Sequence, residues 1–453
     1  MFWESMTTPG VFSTRNSNET RQVAHALTAV SGTNAAWYLM ARHFSIPDTY
    51  RSAVVKTVKD SRQILDPRKK DRSPALLDLG PVQFLIPRHF GFCYGVENAI
   101  DIAYRAIEQN PGKPIYLLSE MIHNPSVNED LQQKGVRFLF ETDGTPRVPL
   151  ERLNSNDIVI VPAFGTTVEI QKELESRGIN PYSYDTTCPF VVKVWKRGNQ
   201  LGKKGYSLVI HGKYQHEETR ATFSHSSQHS ACVVVLNTRE ADILAQIMLG
   251  DRPVSEFKTH FGMKCTPGFD PLRDLEKFGV INQTTMLASE TREVMEILKA
   301  AAEQKFGSSE IDLHFADTTD TLCYATNENQ SATFGLMEAQ ADLALVVGGY
   351  NSSNTMHLAE LLEEKYPVYH IRDAEEISSS ASIRHFDQWS HTMRTTENWL
   401  PVSSANPVRI ALTSGASCPD TLVDEVLLKV ADYFKGCRSL DQAMAPFLHP
   451  EEP

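Results

Sequence analysis

Three of the seven cysteines carry the most specific chemistry in this sequence. Cys93, Cys188 and Cys323 lie far apart along the chain, and each precedes a helix-like stretch. Thiolates are the usual protein ligands of iron–sulfur clusters, and three of them leave one iron of a [4Fe-4S] cluster without a protein ligand and open to a substrate oxygen. A free cysteine is more often a small buried residue than a ligand. Three cysteines in equivalent contexts nevertheless favour one shared cluster per chain.

An internal repeat places these cysteines in equivalent contexts. Cys188 and Cys323 are each followed by a helix-like stretch, an apolar strand and a polar loop, and Cys93 leads more loosely through the same series. The polar loops are 123–126, 211–218 and 348–354. In α/β units the loops after the strands carry the site, so three units facing a common centre would bring three thiolates and three polar loops together.

The other cysteines are assigned no ligand role. Cys232 lies within an apolar strand, Cys265 in an irregular insertion and Cys437 near the end of the chain. Cys418 neighbours a candidate binding loop, but nothing in its context repeats that of the three predicted ligands. We interpret all four as structural or incidental.

The polar loops predict an anion-binding site. Residues 351–355 and 413–417 offer amides and hydroxyls at expected helix starts, which bind anions without a Lys/Arg cluster. Each loop alone is also compatible with a simple N-cap. Together with His123 and His216 they predict a cradle for a diphosphate.

A proton donor is predicted beside that cradle. Glu218 follows His216, and a carboxyl group in a pocket that excludes water keeps its proton closer to neutral pH. Thr284 and Thr285 follow the strand at 280–281 and could relay a proton by hydroxyl, although a capping turn would explain them equally well.

Composition limits the class of partner and the compartment. The net charge of −12 argues against nucleic acid, and no apolar run is long enough to cross a membrane. An odd number of widely spaced cysteines favours a reducing compartment. We expect a cytoplasmic protein, with the plastid stroma as the alternative if residues 1–80 are a transit segment.

The alternation of short apolar strands with helical patterns predicts an α/β fold. We expect three pseudo-equivalent α/β domains with small, mostly parallel sheets around a central iron–sulfur cluster. The predicted divisions are an N-terminal extension that is partly disordered or helical (1–80), the three units (81–187, 188–320 and 321–436) and a C-terminal tail (437–453).

Eight short motifs in chain order carry a resemblance to a known family. They are Gly91-Phe92-Cys93-Tyr94-Gly95-Val96, His123-Asn124-Pro125, Thr187-Cys188-Pro189, His216-Glu217-Glu218, Gln283-Thr284-Thr285, Cys323-Tyr324-Ala325-Thr326, Asn351-Ser352-Ser353-Asn354 and Ser414-Gly415-Ala416-Ser417. Through them the sequence resembles the 4-hydroxy-3-methylbut-2-enyl diphosphate reductase family. Inserts such as 257–275 resemble the longer form found in plants and cyanobacteria.

The resemblance implies a reaction and its partners. The reaction is the last step of the non-mevalonate (methylerythritol phosphate) isoprenoid pathway, in which an allylic hydroxyl is removed with two electrons and two protons. The products are isopentenyl diphosphate, dimethylallyl diphosphate and water. The electrons would come from a donor protein such as ferredoxin or flavodoxin.

The resemblance also assigns roles by position. Cys93, Cys188 and Cys323 would hold the cluster, Glu218 would donate the proton, and Thr284 would help to orient it. The remaining motif residues would hold the diphosphate: His123, His216, Thr285, Ser352, Ser353, Asn354 and Ser417. Phe164 stands where many bacterial members have a histidine, so the number of imidazoles that contact the diphosphate stays open.

Two other functions fit the same three cysteines. A dehydratase or synthase resembling quinolinate synthase would share the three-unit plan, but its dicarboxylate substrate would favour Arg or Lys side chains over Ser, Asn and His. A non-enzymatic scaffold could use the cysteines as structural zinc ligands.

Overall fold

The computed structural model describes residues 44–316, 318, 321–402 and 406–448. By its contacts the chain divides into two parts, Met1–Phe44 and Ser45–Pro453. The described helices and strands all belong to Ser45–Pro453. Most of the predicted N-terminal extension, residues 1–43, and the last residues of the predicted tail, 449–453, lie outside the described residues.

The described residues form fifteen α-helices and fourteen strands, together with short 3-10 turns at Asp48–Tyr50, Leu150–Arg152 and Ala374–Glu376. The helices are α1 (Val54–Leu65), α2 (Tyr94–Gln109), α3 (Pro125–Gln133), α4 (Val168–Ser176), α5 (Pro189–Lys203), α6 (Glu217–Ser227), α7 (Thr238–Leu249), α8 (Ser255–Phe261), α9 (Pro271–Asp274), α10 (Ala288–Phe306), α11 (Ile311–His314), α12 (Tyr324–Glu338), α13 (Ser353–Glu363), α14 (Asp420–Ala431) and α15 (Leu440–Leu448). The strands are β1 (Ala75–Asp78), β2 (Val82–Ile86), β3 (Ile115–Leu117), β4 (Arg137–Phe138), β5 (Ile158–Ile160), β6 (Ser207–His211), β7 (Cys232–Val235), β8 (Phe278–Asn282), β9 (Phe315–Ala316), β10 (Leu343–Val347), β11 (Val368–Ile371), β12 (Ser382–Asp387), β13 (Thr392–Glu397) and β14 (Val408–Ser414).

The strands assemble into three sheets whose inner pairs are parallel. The first sheet has the order β4-β3-β5, the second β7-β6-β8-β9, and the third β1-β2-β14-β10-β11-β12-β13. In the first two sheets every pair is parallel, whereas antiparallel hairpins extend both edges of the third. The predicted class, three α/β units with mostly parallel sheets, is confirmed.

Helices cover both faces of the third sheet. In β10, Leu345 and Val347 pack in a core with Val423 and Val426 of α14. The alternate residues of the same strand enter a second core with Leu358 of α13. A parallel strand covered on both faces reads as a continuous apolar run, and β10 is Leu-Ala-Leu-Val-Val.

The segment before the first cysteine connects two units. Strand β2 runs parallel to β14, with Val82 opposite Val408, so it belongs to the third sheet. Helix α2 instead packs Ala99 and Ile100 against Leu117 of β3 in the first unit. Cys93 therefore lies where the chain passes from the third sheet to the first unit, and the domain boundary proposed at residue 81 stays a prediction.

Helix α1 and the C-terminal helix α15 share the core of the third sheet. Val55 and Val58 of α1 and Met444 of α15 are buried in the same cluster as Val426. These parts of the predicted extension and tail are therefore packed against the third unit. No helix among the described residues is both long and apolar enough to cross a bilayer.

Candidate active site

Each of the three predicted ligands is the residue that caps a helix. Cys93 precedes α2, Cys188 precedes α5 and Cys323 precedes α12, all with extended backbone at the cap. The predicted helix starts after Cys188 and Cys323 are confirmed. At this position a sulfur lies near the positive end of the helix dipole, which favours a thiolate or an anionic group bound to it.

The three cysteines line one cavity. About 660 Å³ of empty space lies within and at the mouth of this cavity, and its lining includes Cys93, Cys188 and Cys323. A Cβ placed on Gly95 would lie 2.5 Å from the Sγ of Cys188 and 3.9 Å from the Sγ of Cys93. These two sulfurs are therefore at most 6.4 Å apart, the sum of the two distances. Gly95 is the residue that lets them face the same space.

The surroundings of the thiols match a soft, positively charged group. Burial, with a smaller contribution from a neighbouring cysteine in each case, raises the pKa of Cys93 and Cys188 to about 11 and that of Cys323 to about 12. Cys323 also accepts a hydrogen bond at Sγ from the backbone N–H of Thr326, at 3.2 Å. Thiolates so buried need a cationic partner, which metal binding supplies as the protons leave.

The three cysteines are not spaced like the ligands of a single metal ion. Among the described residues no group of three His, Cys, Asp or Glu side chains is close enough to hold one metal ion. An iron–sulfur cluster is several atoms wide, so its ligands stand farther apart than those of one zinc ion. Three thiolates are the donor type that such a cluster prefers.

Glu218 is held in the same cavity by Thr284. Its side chain is buried near the start of α6. The backbone N–H of Thr284 donates to Oε1 at 2.6 Å, and its hydroxyl donates to Oε2 at 3.0 Å. Burial raises the pKa of Glu218 to about 7, against the opposing effect of these two hydrogen bonds. The carboxyl group can therefore hold a proton near neutral pH and release it to a bound substrate.

Two imidazoles face each other beside Glu218. The Nε2 atoms of His123 and His216 lie 3.1 Å apart, and the ring of Phe164 stacks on His123 with centroids 4.2 Å apart. The Nδ1 of His216 accepts a hydrogen bond from the backbone N–H of Glu218. The ring proton of His216 is therefore on Nε2, from which it can be donated to Nε2 of His123. Burial lowers the pKa of His216 well below its usual value, so this ring is a neutral donor.

The third unit contributes hydroxyl and amide groups to the same cavity. Ser352 caps α13, and the hydroxyl of Ser417 donates to its Oγ at 3.3 Å. The Oδ1 of Asn354 accepts the backbone N–H of Ala416 at 2.8 Å. Gly415 permits this approach, because a Cβ there would lie 2.0 Å from the Oγ1 of Thr355. Two loops of the third unit are thereby joined in one rigid wall.

The structure brings all of the predicted site residues together around one cavity. Its lining contains Cys93, His123, Cys188, His216, Glu218, Thr284, Thr285, Cys323, Ser352, Ser353, Asn354 and Ser417. Sequence reasoning gave no role to Thr326, which contacts the sulfur of Cys323, or to Glu120, whose carboxylate lies 3.3 Å from Nδ1 of His123. Thr326 stands inside a quoted motif, whereas nothing in the sequence around Glu120 signals its contact.

Together, the fold and the cavity define a three-unit α/β protein with one cavity that is lined by three cysteines and by polar side chains. A family model described as LytB protein matches residues 85–431, more than half of the chain. The chain belongs to the LytB protein family. This confirms the family resemblance and the predicted class, an iron–sulfur oxidoreductase.

Individual relatives agree with the family assignment. A 4-hydroxy-3-methylbut-2-enyl diphosphate reductase of Gloeobacter violaceus is 41% identical over 356 residues, which cover 78% of this chain and 83% of the relative. One of Synechococcus sp. is 40% identical over 365 residues, covering 79% and 87%. A solved structure of the E-1-hydroxy-2-methyl-but-2-enyl-4-diphosphate reductase from Plasmodium falciparum shares the fold, with a TM-score of 0.54 at 21% identity over 75% of this chain and 85% of that one.

Proposed function

We propose that this chain reduces 4-hydroxy-3-methylbut-2-enyl diphosphate to isopentenyl diphosphate and dimethylallyl diphosphate. The C–O bond of the allylic hydroxyl breaks, two electrons and two protons are taken up, and the oxygen leaves as water. The relatives of the chain carry the name of this reductase. The observation that carries the proposal is the convergence of three helix-capping cysteines and three polar loops on one cavity.

The cofactor in this proposal is one [4Fe-4S] cluster per chain held by Cys93, Cys188 and Cys323. When bound, it would supply electrons and, at the iron without a protein ligand, Lewis acidity. The residues around it hold the sulfurs apart and shield them from water. Gly95 keeps the space between two of the sulfurs open, and Thr326 orients the third.

The diphosphate would be held without Lys or Arg. His123, His216 and Ser352 come from three different units and supply donors around the cavity. His216 and Ser352 cap α6 and α13, so the positive ends of two helix dipoles would lie beside the diphosphate. Phe164 stacks on His123 and fixes the plane of that ring. It stands at the position where many bacterial members of the family have a further histidine.

Proton delivery would fall to Glu218. Its carboxyl group lines the cavity and is buried enough to hold a proton near pH 7. Thr284 fixes both carboxyl oxygens, so the acid is presented in one orientation. Thr284 also lines the cavity, where its hydroxyl would help to orient the leaving hydroxyl of the substrate.

Replacement of one predicted ligand tests the function and the cofactor together. We expect Cys188→Ser, purified anaerobically, to lose the broad visible absorption of the cluster and turnover of the hydroxylated diphosphate with a chemical reductant. Cys265→Ser is the matched control, because Cys265 is a free cysteine outside the cavity. A Cys188→Ser enzyme with full iron, sulfide and turnover would overturn the proposal.

The physiological donor and the compartment belong to the same proposal. The electrons would come from a separate carrier protein such as ferredoxin or flavodoxin. We retain the cytoplasm as the proposed compartment, with the plastid stroma as the alternative. The segment that distinguishes them includes residues 1–43, outside the described part of the chain.

A further inference from the structure

A basic surface lies at the N-terminal side of the first cysteine. Residues 48–72 contain eight Lys or Arg and four Asp or Glu, a net charge of +4 in a chain whose total is −12. Lys56, Arg68, Lys70 and Arg72 are exposed. We call α1 and residues 66–72 the basic surface. Phe92 and Tyr324 lie beside it and are included in it.

This surface contacts the segments that carry two of the cysteines. Lys59 donates from Nζ to the carbonyl of Phe90, three residues before Cys93, at 3.3 Å. The Nζ of Lys69 lies 4.4 Å from the ring centroid of Tyr324, the residue directly after Cys323. Basic side chains of residues 48–72 are therefore held against both cysteine segments from outside the substrate cavity.

A second cavity opens on this surface. About 900 Å³ of empty space lies within and at its mouth. Its lining contains four cations (Lys59, Arg62, Lys69 and Arg88), three acids (Asp60, Asp66 and Glu328) and the rings of His89, Phe90 and Phe92. Phe92 lines this cavity while its neighbour Cys93 lines the substrate cavity, and the two linings share no described residue. One peptide segment thus separates the two cavities.

The acidic groups of this face are mostly paired internally. Asp71 forms an ion pair with Arg62, and Glu328 lies within ion-pair distance of Lys69 and Arg88. Asp60 is paired with Lys56 one turn away on α1. These pairs leave the surplus of positive charge at the outer edge of the surface.

Exposed apolar groups lie among these charges. Tyr324, adjacent in sequence to a predicted cluster ligand and in contact with Lys69, is 45% exposed, and Ile64 near the end of α1 is 51% exposed. Aromatic and apolar groups with a charged rim are the composition of a protein–protein interface. Because the rim is basic, it would steer an acidic partner to this face.

The proposed reaction requires such a partner. Removal of the hydroxyl as water consumes two electrons and two protons per substrate, and repeated turnover cannot draw them from the cavity itself, because its three thiolates would be committed to the cluster. The electrons must therefore arrive from outside. A one-electron carrier delivers them in two encounters, which favours a contact that is fast and readily reversed.

We propose that the basic surface docks an acidic one-electron carrier protein, and that this contact brings the carrier's redox group beside the segments of Cys93 and Cys323. Electrons would cross the protein between the two cavities while the substrate occupies the other side. This inference rests on the proposed reductase function.

The test compares two reductants on matched charge-reversal variants. The docking variant is Arg68→Glu/Lys70→Glu. The control is Lys203→Glu/Lys204→Glu, an equal charge change at two exposed residues. These lie at the C-terminal end of α5, about 20 Å along the helix from Cys188. Turnover is measured with dithionite and methyl viologen, and separately with a reduced, acidic [2Fe-2S] ferredoxin at low and high ionic strength.

With the small reductants, both variants should match the wild type within about twofold. With ferredoxin at low ionic strength, the docking variant should show a KM for ferredoxin higher by about tenfold or more, and the control should not. High ionic strength should raise the wild-type KM towards that of the docking variant.

An unchanged ferredoxin KM in the docking variant would overturn the docking surface. A wild-type ferredoxin KM that is independent of ionic strength would overturn it as well, whether or not the variant folds. Wild-type protein that fails to turn over with dithionite and methyl viologen would instead overturn the proposed reductase function, so the two failures are distinguishable.

Discussion

At the scale of single residues, Glu218 combines deep burial with two hydrogen bonds from one neighbour. Both bonds come from Thr284, and both stabilise the ionised carboxylate. Burial acts in the opposite direction and is the larger effect, so the pKa of Glu218 is raised to about 7. The residue is therefore suited to hold and release a proton at physiological pH.

Replacement of Glu218 tests its role as the proton donor. Glu218→Gln preserves the size of the side chain and can still accept from Thr284, but it cannot donate the acidic proton. We expect turnover to fall by about 10²-fold or more, while the iron content and the affinity for the diphosphate change little. Iron analysis and steady-state kinetics under argon would measure this. Turnover like that of the wild type would remove Glu218 from the mechanism.

The same carboxyl group predicts the pH dependence. Because its pKa is raised to about 7, the protonated acid is present below that pH and is lost as the pH rises through it. Turnover should therefore be nearly constant below about pH 7 and fall above it, about tenfold per unit at high pH. The residual activity of Glu218→Gln should lack this decline. An identical decline in that variant would assign it to another group.

Glu217 is a second buried acid in this region, and we expect it to affect substrate binding but not the rate of turnover. The Oε2 of Glu217 lies 3.6 Å from Nε2 of His123, and both side chains are buried. We expect Glu217→Gln to raise the KM for the diphosphate several-fold, because the amide would no longer hold the ring of His123 in the same position, while kcat changes by less than about twofold. A fall in kcat with an unchanged KM would contradict this role.

Sequence reasoning found the residues whose context repeats and missed single contacts that depend on the conformation of one local turn. Cys93, Cys188 and Cys323 were identified because each begins an equivalent unit. Glu120 could not be identified in this way, because its contact with His123 depends on the turn after β3. The role of the cysteines could be predicted because their sequence context recurs three times. The contact of Glu120 occurs once and leaves no such pattern.

At the scale of elements, the site depends on how closely helix starts approach one another. Cys188 caps α5, and Gly95 in the first turn of α2 lies beside its sulfur. A side chain on Gly95 would occupy the space between the sulfurs of Cys93 and Cys188. The close approach of the first turn of α2 to the cysteine that caps α5 thus sets the width of the proposed cluster site.

Gly95→Ala tests this requirement. A new Cβ would lie 2.5 Å from the sulfur of Cys188, which must then move. We expect anaerobically purified Gly95→Ala to contain less than half the iron of the wild type, with helical content unchanged in circular dichroism. Ala106→Gly is the control, because it weakens the same helix by about 1 kcal/mol without approaching a cysteine. Full iron content in Gly95→Ala would show that the sulfurs do not need this space.

The strands with apolar sequences were predictable, and those without them were not. The buried strands β6 and β10 were expected from their continuous apolar runs. The hairpin of β12 and β13 was not expected, because β13 reads Thr-Met-Arg-Thr-Thr-Glu and is almost entirely exposed. Strand β13 lies at the edge of the third sheet because it pairs with β12. The sequence of β13 has no apolar periodicity that would predict this pairing.

At the scale of the whole molecule, α1 joins the third unit to the segment before the first cysteine. Its inner face, Val55 and Val58, is buried in the core of the third sheet, and Lys59 contacts the carbonyl of Phe90. The order of elements was predictable from the alternating pattern. The return of β2 to the third sheet was not, because that pairing joins residues more than 300 positions apart.

A substitution in α1 tests its share in stability. We expect Val55→Ala to lower the free energy of unfolding by about 2 kcal/mol, since it removes buried methyl groups from a closed core. Ile64→Ala on the same helix is the control, because Ile64 is half exposed and should cost less than about 0.5 kcal/mol. Denaturant unfolding under argon would measure both. Equal effects would mean that α1 is not part of this core.

The central claim is that Cys93, Cys188 and Cys323 hold one iron–sulfur cluster between three α/β units. A crystal structure of the anaerobically purified protein, with anomalous diffraction recorded at the iron edge, tests it directly. We predict one centre of four irons, three of them each bonded to one of those sulfurs, with the fourth iron facing Glu218 and Thr284. A single zinc at this site, or an iron centre on other residues, would contradict it.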